Sequence, residues 1–208
     1  MKFASGDRIF FILTLVIVLA GIAIFSSAAL GLLARESSSV SKDILFQSGL
    51  GLGAGFLALF IARAIPLAFI KRFSPYIYAI TILFTALVFV PGIGFHAGGA
   101  TRWINLGFTT VQPAEFLKIG FVLMTAWWLS PRARQLADRK KGLFPFIAIL
   151  AIPSVILLAQ PNTSTAILLA VTGAVMYFSA GAPWRDFGIL ALFIVMALVI
   201  VISLRPYT

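Results

Sequence analysis

Seven long apolar runs, separated by short polar connections, constrain the fold of this 208-residue chain more than any other feature. Hydrophobic residues make up 61% of the chain and charged residues 11%, and the mean hydropathy is +1.08. Because the hydrocarbon core of a bilayer is about 30 Å thick, about 20 apolar residues form one spanning helix. The strict alternation of apolar and polar residues that is typical of barrel strands is absent. The sequence therefore predicts an all-α integral membrane protein, a polytopic bundle of about seven transmembrane helices.

The first apolar run lies where a signal peptide would lie, but it is too long for one. A charged segment, residues 35–43, follows it without a cleavage pattern. We interpret the run as a retained first helix and predict a single transmembrane domain over residues 1–208. The predicted spans are residues 9–33, 44–62, 75–90, 113–129, 144–159, 165–180 and 187–204.

The basic residues in the connections predict the orientation of the bundle. With the N-terminus in the cytoplasm, eleven basic residues fall on the cytoplasmic side and four on the opposite side, while Lys118 lies within a helix. This asymmetry follows the positive-inside rule and places the C-terminus outside. The cytoplasmic set is Lys2, Arg8, Arg63, Lys71, Arg72, Arg132, Arg134, Arg139, Lys140, Lys141 and Arg185. The outer set is Arg35, Lys42, Arg102 and Arg205.

The net charge of +10 therefore requires no nucleic-acid partner. The basic loop at residues 132–141 is interpreted as a topology determinant that rests on anionic lipid headgroups. The chain has no Cys and one His, so the sequence predicts no metal site and no identifiable cofactor. A divalent cation is possible in principle, although no residue pattern supports one.

The connection at residues 91–112 is the first place where chemistry is expected. It is rich in glycine, so it can fold back onto the bundle. Within it, Arg102 and Trp103 are adjacent. The guanidinium group of Arg matches phosphate, and Trp favours the headgroup level of the bilayer, so the pair suits a lipid pyrophosphate at the outer leaflet. The alternative is an interfacial anchor alone.

The fourth predicted helix begins at Pro113, with Glu115 in its first turn and Lys118 three residues later. These two side chains lie on nearly the same helix face. They could neutralise each other, or Lys118 could shape a polar cavity that faces outward, and we favour the cavity because an apolar residue would serve a purely structural role at lower cost. A second polar break, around Gln160 and Asn162, is expected by itself to be a Pro/Asn turn capped by Thr.

Taken together, these residues resemble the signature of the SEDS family (shape, elongation, division and sporulation), which includes FtsW, RodA and SpoVE. The resemblance rests on Gly98-Gly99-Ala100-Thr101-Arg102-Trp103-Ile104, Gly107 and Gln112-Pro113-Ala114-Glu115-Phe116-Leu117-Lys118. The turn at Gln160-Pro161, the Ser26-Ser27-Ala28 segment and Arg205-Pro206-Tyr207 resemble further family elements.

The resemblance implies a peptidoglycan glycosyltransferase of the bacterial cytoplasmic membrane that polymerises lipid II during cell division or elongation. Its implied partners are a class B penicillin-binding protein and other division or elongation proteins. By motif, Arg102, Trp103, Gln112, Glu115 and Lys118 would line the substrate cavity, with Arg102 or Lys118 at the pyrophosphate. Gln160 and Asn162 are secondary candidates.

Two departures from the family pattern shape the expectation for this chain. Asn162 and Ser164 replace the Asp and Gly of the family turn. Family members have about ten helices, and their catalytic Asp lies in an external loop that begins near Arg205-Pro206-Tyr207. The sequence is thus expected to be a truncated portion without a catalytic residue, inactive alone as a polymerase. A lipid II flippase and a non-catalytic membrane scaffold are the alternatives.

Overall fold

The computed structural model describes residues 5–33, 39–97, 99–107 and 110–204 and divides the chain into two compact units, Met1–Ile65 and Pro66–Thr208. The first unit holds helices α1 (Ser5–Leu33) and α2 (Ser39–Ala64), which contact each other. The single transmembrane domain over residues 1–208 stays a prediction. Gly98, much of the charged segment at 35–43 and the Arg205-Pro206-Tyr207 element lie outside the residues whose side chains are described.

The second unit contains five α-helices within its described residues: α3 (Leu67–Ala86), α4 (Pro113–Leu129), α5 (Leu143–Ala159), α6 (Thr163–Ser179) and α7 (Phe187–Leu204). Short 3-10 turns follow α3 at Leu87–Phe89 and precede α7 at Trp184–Asp186. A third 3-10 turn, Ala133–Gln135, lies between α4 and α5. Each apolar run predicted from the sequence overlaps one α-helix, most with ends within a few residues.

The predicted start of the third span at Pro75 was wrong. Helix α3 begins at Leu67, directly after Pro66, and Pro75 lies inside it. Proline suits a helix start, but it is also tolerated within apolar helices because only one backbone hydrogen bond is lost and neighbouring groups compensate. As a result Lys71 and Arg72 lie within α3 and not in a loop before it.

A small antiparallel sheet fills the connection between α3 and α4, and the all-helical prediction missed it. Its strands are β1 (Gly94–Ala97), β2 (Ala100–Asn105) and β3 (Thr110–Val111), in that order. Gly99, with φ of +76°, turns the chain between β1 and β2, a conformation that favours glycine. Strands this short carry too few residues for a clear alternating pattern, so the sequence did not reveal them.

The core of the second unit lies where α4, α5 and α6 meet. Leu117, Phe121, Phe146 and Tyr177 are fully buried there, and the rings of Phe146 and Tyr177 stack with their centroids 4.6 Å apart. The opposite faces of these helices expose large apolar side chains, which is the pattern of helices surrounded by lipid. Of the described helices, one continuous segment, Leu67–Phe89, is long and apolar enough to cross a membrane.

Candidate functional site

Arg102 occupies an irregular position in strand β2. Phe95 pairs with Trp103, and the next residue, His96, pairs with Thr101, so Arg102 has no partner in the ladder. Such a bulge bends the strand locally and redirects a side chain. The Nε atom of Arg102 is buried and has no hydrogen-bond partner among the described residues.

The sheet lies against the helix ends that flank it. Strand β2 contacts both the 3-10 turn after α3 and helix α4. Gly94, at the start of β1, lies so close to the backbone of Val88 that a Cβ atom there would overlap the Val88 carbonyl oxygen. His96 Nδ1 and Thr101 Oγ1 are 3.0 Å apart and join the two paired strands. Arg102 is therefore held over the C-terminal end of α3 and the N-terminal end of α4.

Glu115 and Lys118 form the ion pair that was one of the two alternatives. Lys118 Nζ lies 2.7 Å from Glu115 Oε2, and the two side chains are 31% and 55% exposed. The positive charge of Lys118 is thus compensated within its own helix. No ion pair of Arg102 occurs among the described residues, so its charge is the uncompensated one near the sheet.

Gln112 and Trp103 complete the set taken from the first motif. Gln112 is the N-cap residue of α4, but its side chain makes no capping hydrogen bond, and its carbonyl oxygen accepts a bond of 3.1 Å from the Glu115 N–H. The Gln112 side chain therefore does not cap the helix. Trp103 is partly buried in β2, paired in register with Phe95.

Gln160 and Asn162 are buried at the turn between α5 and α6, each with 1% of its surface exposed. The Gln160 amide donates from Nε2 to the Thr85 carbonyl oxygen at 2.7 Å, which holds the turn against the end of α3. Gln160 Oε1 and Asn162 Nδ2 have no hydrogen-bond partner in the described part of the chain. The expected Thr cap was wrong, because the N-cap of α6 is Asn162, without a side-chain capping bond.

The structure thus brings both predicted motifs to one end of the second unit. The end of α3 contacts the sheet that carries Arg102 and also accepts the bond from Gln160. Three buried polar atoms at this end lack a hydrogen-bond partner among the described residues: Arg102 Nε, Gln160 Oε1 and Asn162 Nδ2. An unpaired buried polar group costs about 1–3 kcal/mol, so a polar partner at this end would be stabilising. Within the described residues, no three His, Cys, Asp or Glu side chains cluster as metal ligands would.

Sequence reasoning missed the buried polar face of α3, which ends at Thr85 beside Gln160. Ser74, Tyr78, Thr81 and Thr85 are all buried on it, and the Tyr78 hydroxyl donates to the Ile149 carbonyl oxygen of α5 at 2.5 Å. Their spacing of three and four residues marks one helix face, so the pattern was available in the sequence. Thr125 in α4 was also missed, and its Oγ1 atom is buried without a partner among the described residues.

A family model described as Cell cycle protein, which covers FtsW, RodA and SpoVE, matches residues 7–208. The match includes the sheet with Arg102, the ion pair in α4 and the turn with Gln160. The chain belongs to the SEDS family. The resemblance inferred from the two motifs is therefore confirmed.

Two curated SEDS relatives show how far the likeness extends. The probable peptidoglycan glycosyltransferase FtsW of Alcanivorax borkumensis is 29% identical over 198 residues, which cover 93% of this chain and 50% of the relative. Stage V sporulation protein E of Bacillus subtilis is 27% identical over 210 residues, covering 99% of this chain and 56% of the relative. The chain thus spans about half the length of the curated relatives it matches.

Solved SEDS structures share the fold. A chain from work on the structural coordination of polymerization and crosslinking by a peptidoglycan synthase complex is 27% identical, with a TM-score of 0.66 over 90% of this chain and 55% of that chain. RodA, the rod shape determining protein of Thermus thermophilus, is 24% identical, with a TM-score of 0.59 over 86% of this chain and 58% of that chain. This mostly helical SEDS chain therefore belongs to a family of membrane proteins.

Proposed function

We propose that this SEDS chain contributes to cell-wall synthesis as the lipid II-binding part of a peptidoglycan glycosyltransferase in the bacterial cytoplasmic membrane. It crosses that membrane seven times, with its N-terminus in the cytoplasm and its C-terminus outside. The name of the Alcanivorax borkumensis relative, a probable peptidoglycan glycosyltransferase, supports the activity. The basic residues of the connections support the orientation, because most of them fall on the side opposite Arg102.

The observation that carries the proposed site is the buried Nε atom of Arg102, which has no hydrogen-bond partner in the described part of the chain. A guanidinium N–H donor that is shielded from water binds a phosphate oxygen more strongly than an exposed donor does. The lipid II pyrophosphate meets the protein at the membrane surface, where the sheet lies over the ends of α3 and α4. Arg102 therefore holds the pyrophosphate and stabilises the charge that develops on it as the bond to the sugar breaks.

The remaining candidate residues take supporting roles in this site. The Lys118–Glu115 pair forms a polar wall in the first turns of α4, with Gln112 just before it. Trp103, next to Arg102 in β2, lies at headgroup level. Gln160 and Asn162 lie buried behind the site, where the Gln160 bond to Thr85 holds the turn between α5 and α6 against the end of α3.

Arg102 is tested by lipid II binding to the purified chain in nanodiscs. We expect Arg102→Ala to weaken binding at least about tenfold, because a lost charge-assisted hydrogen bond is worth about 1.5–3 kcal/mol. Arg102→Lys should recover only part of the affinity, since the ammonium group cannot form two parallel bonds with phosphate. The matched control is Arg134→Ala, an exposed arginine on the predicted cytoplasmic side. Equal losses in the Arg102 and Arg134 variants would show a general charge effect and contradict the site.

The chain tested by itself is expected not to polymerise lipid II. Glycosyl transfer requires a base for the acceptor hydroxyl as well as charge stabilisation at the leaving group. Among the described residues of the second unit, Glu115 is the carboxylate at the site end, and it is paired with Lys118. The measurement is gel separation of glycan strands after incubation of labelled lipid II with the purified chain. Strand products formed without another protein would refute this expectation.

A class B penicillin-binding protein is the proposed partner. The support is the likeness to a chain of a peptidoglycan synthase complex described as coordinating polymerization and crosslinking. Co-purification with such a protein, compared between the native chain and Arg102→Ala, separates the alternatives. If the site serves an enzyme or a flippase, the substitution weakens lipid II binding and leaves the complex intact. A pure scaffold would show no change in either measurement.

A further inference from the structure

The end of the second unit opposite Arg102 carries a second polar site that the proposed function does not use. It is a basic pocket of about 490 Å³ lined by Arg139, Lys140 and Arg185, together with Ala137, Asp138 and Phe144. It lies where the connection between α4 and α5 meets the start of α7. Three cationic side chains from two separate segments thus converge on one cavity.

The carboxylates near this pocket do not cancel its charge. Asp186 is fully buried and is bound by Arg139 Nε at 3.2 Å and by the Tyr177 hydroxyl at 3.2 Å. Asp138 accepts the Lys140 backbone N–H at 2.9 Å. Arg139 nevertheless stays 45% exposed, and Lys140 forms no ion pair among the described residues. The exposed side chain of Lys141, next to Lys140 in the chain, adds further positive charge.

An apolar groove is linked to this pocket by the consecutive residues Trp184 and Arg185. It measures about 690 Å³ and runs between α6 and α7. Its lining includes Val171, Val175, Phe178, Trp184, Phe187 and Val195. Trp184, which is 78% exposed, stacks on Phe178 with the ring centroids 5.3 Å apart. The groove and the pocket meet in the chain at Trp184-Arg185, since Trp184 lines the first and Arg185 lines the second.

We propose that the pocket and the groove together bind one anionic glycerophospholipid of the cytoplasmic leaflet, the leaflet assigned by the proposed orientation. Lys140 and Arg185 bind the headgroup phosphate, and an acyl chain lies in the groove between α6 and α7. Charge complementarity commits the site to an anionic lipid, because a zwitterionic headgroup carries its own cation. The exposed Trp184 sits at the boundary, where the polar headgroup gives way to the apolar chain.

The test is native mass spectrometry of the purified chain in detergent with added dioleoyl phosphatidylglycerol or dioleoyl phosphatidylcholine. We expect phosphatidylglycerol to bind at least about fivefold more tightly, since each basic residue near an anionic surface contributes about 1 kcal/mol. Lys140→Gln should lower phosphatidylglycerol binding about fivefold, and the Lys140→Gln/Arg185→Gln pair about 20-fold. The matched control, Lys71→Gln/Arg72→Gln, removes two exposed cations on the same predicted side outside the pocket.

The single change at Lys140 and one further variant, at Ala191, separate loss of the lipid from damage to the fold. The Arg185 side chain also donates to the Ala137 carbonyl oxygen, so its loss could disturb the loop, whereas the exposed Lys140 side chain can be changed alone. Ala191→Phe fills the groove and should reduce phosphatidylglycerol binding without changing the charge. If Ala191→Phe has no effect, or if glycerol 3-phosphate binds as tightly as the lipid, the lipid assignment is overturned. Equal binding of the two lipids, or equal losses in the control, would also overturn it.

This outcome is independent of the proposed lipid II site. Arg102→Ala is expected to leave phosphatidylglycerol binding unchanged, and Lys140→Gln is expected to leave lipid II binding unchanged. If the lipid II site is wrong, only the lipid II measurement changes, and if the phospholipid site is wrong, only the phosphatidylglycerol measurement changes.

Discussion

Replacing Gly120 by alanine is expected to lower the free energy of unfolding of the second unit by about 2–3 kcal/mol. Gly120 in α4 lies directly against Thr81 in α3, at the most extensive helix contact of the unit. An added Cβ would overlap Thr81 Oγ1 and lie 3.3 Å from Thr81 Cβ and Cγ2. Thr81 Oγ1 donates to the Tyr78 carbonyl oxygen at 2.9 Å, so rotating the Thr81 side chain away would break this buried hydrogen bond, and Thr81 Cβ would stay 3.3 Å from the added atom. The added Cβ therefore either breaks this bond or pushes the two helices apart.

Thermal unfolding in detergent, followed by circular dichroism, measures this effect. The matched control is Gly188→Ala in α7, where no atom lies within 4 Å of the added Cβ. Because alanine favours a helix more than glycine does, this control should be neutral or slightly stabilising. The Thr81→Ala substitution removes the two atoms that obstruct the alanine, so the Gly120→Ala/Thr81→Ala pair should be clearly more stable than the sum of the single changes predicts. A strictly additive pair would contradict the contact.

Replacing Arg139 by alanine is expected to lower the free energy of unfolding by about 2 kcal/mol. The substitution leaves the fully buried Asp186 carboxylate with the Tyr177 hydroxyl as its remaining partner in the described structure. Removing one member of a buried ion pair costs about 3–5 kcal/mol. The smaller figure applies because Arg139 is 45% exposed and water screens part of the interaction.

The same unfolding measurement tests the ion pair. Arg134→Ala, an exposed arginine of the same connection, is the matched control and should change stability by less than about 0.5 kcal/mol. Adding Asp186→Asn to Arg139→Ala removes the unpaired charge and should restore part of the lost stability. If the double variant is as unstable as Arg139→Ala alone, the buried charge is not the cause of the loss.

The helices of this protein could be located from the sequence, because apolar runs of sufficient length have few alternatives in a chain of this hydropathy. Proline was the main source of error, since Pro113 starts α4 as predicted while Pro75 lies inside α3. The local signal at the two prolines is the same. The difference comes from Pro66, the N-cap residue of α3, after which the helix begins more than two turns before Pro75.

The candidate site was predictable as a set of residues but not as a geometry. Arg102, Glu115 and Lys118 stand out because charges are rare beside apolar helices. Pairing of Glu115 with Lys118 was one of two alternatives, and their spacing on the helix made it plausible. The bulge that isolates Arg102 had no local signature, because it depends on the register of β2 against β1.

Composition and residue order alone establish the helical, apolar character of this SEDS chain and the polar residues that matter, because hydropathy and helix spacing are properties of neighbouring residues. The folded structure decides which polar groups are paired. Arg139 meets Asp186 across 47 residues, and Gln160 meets Thr85 across 75, so neither contact can be deduced from local patterns. A polar group without a partner is costly only where water cannot reach it. Buried Asp186 has two partners, whereas the buried Nε atom of Arg102 has none among the described residues, and only the folded structure shows this difference.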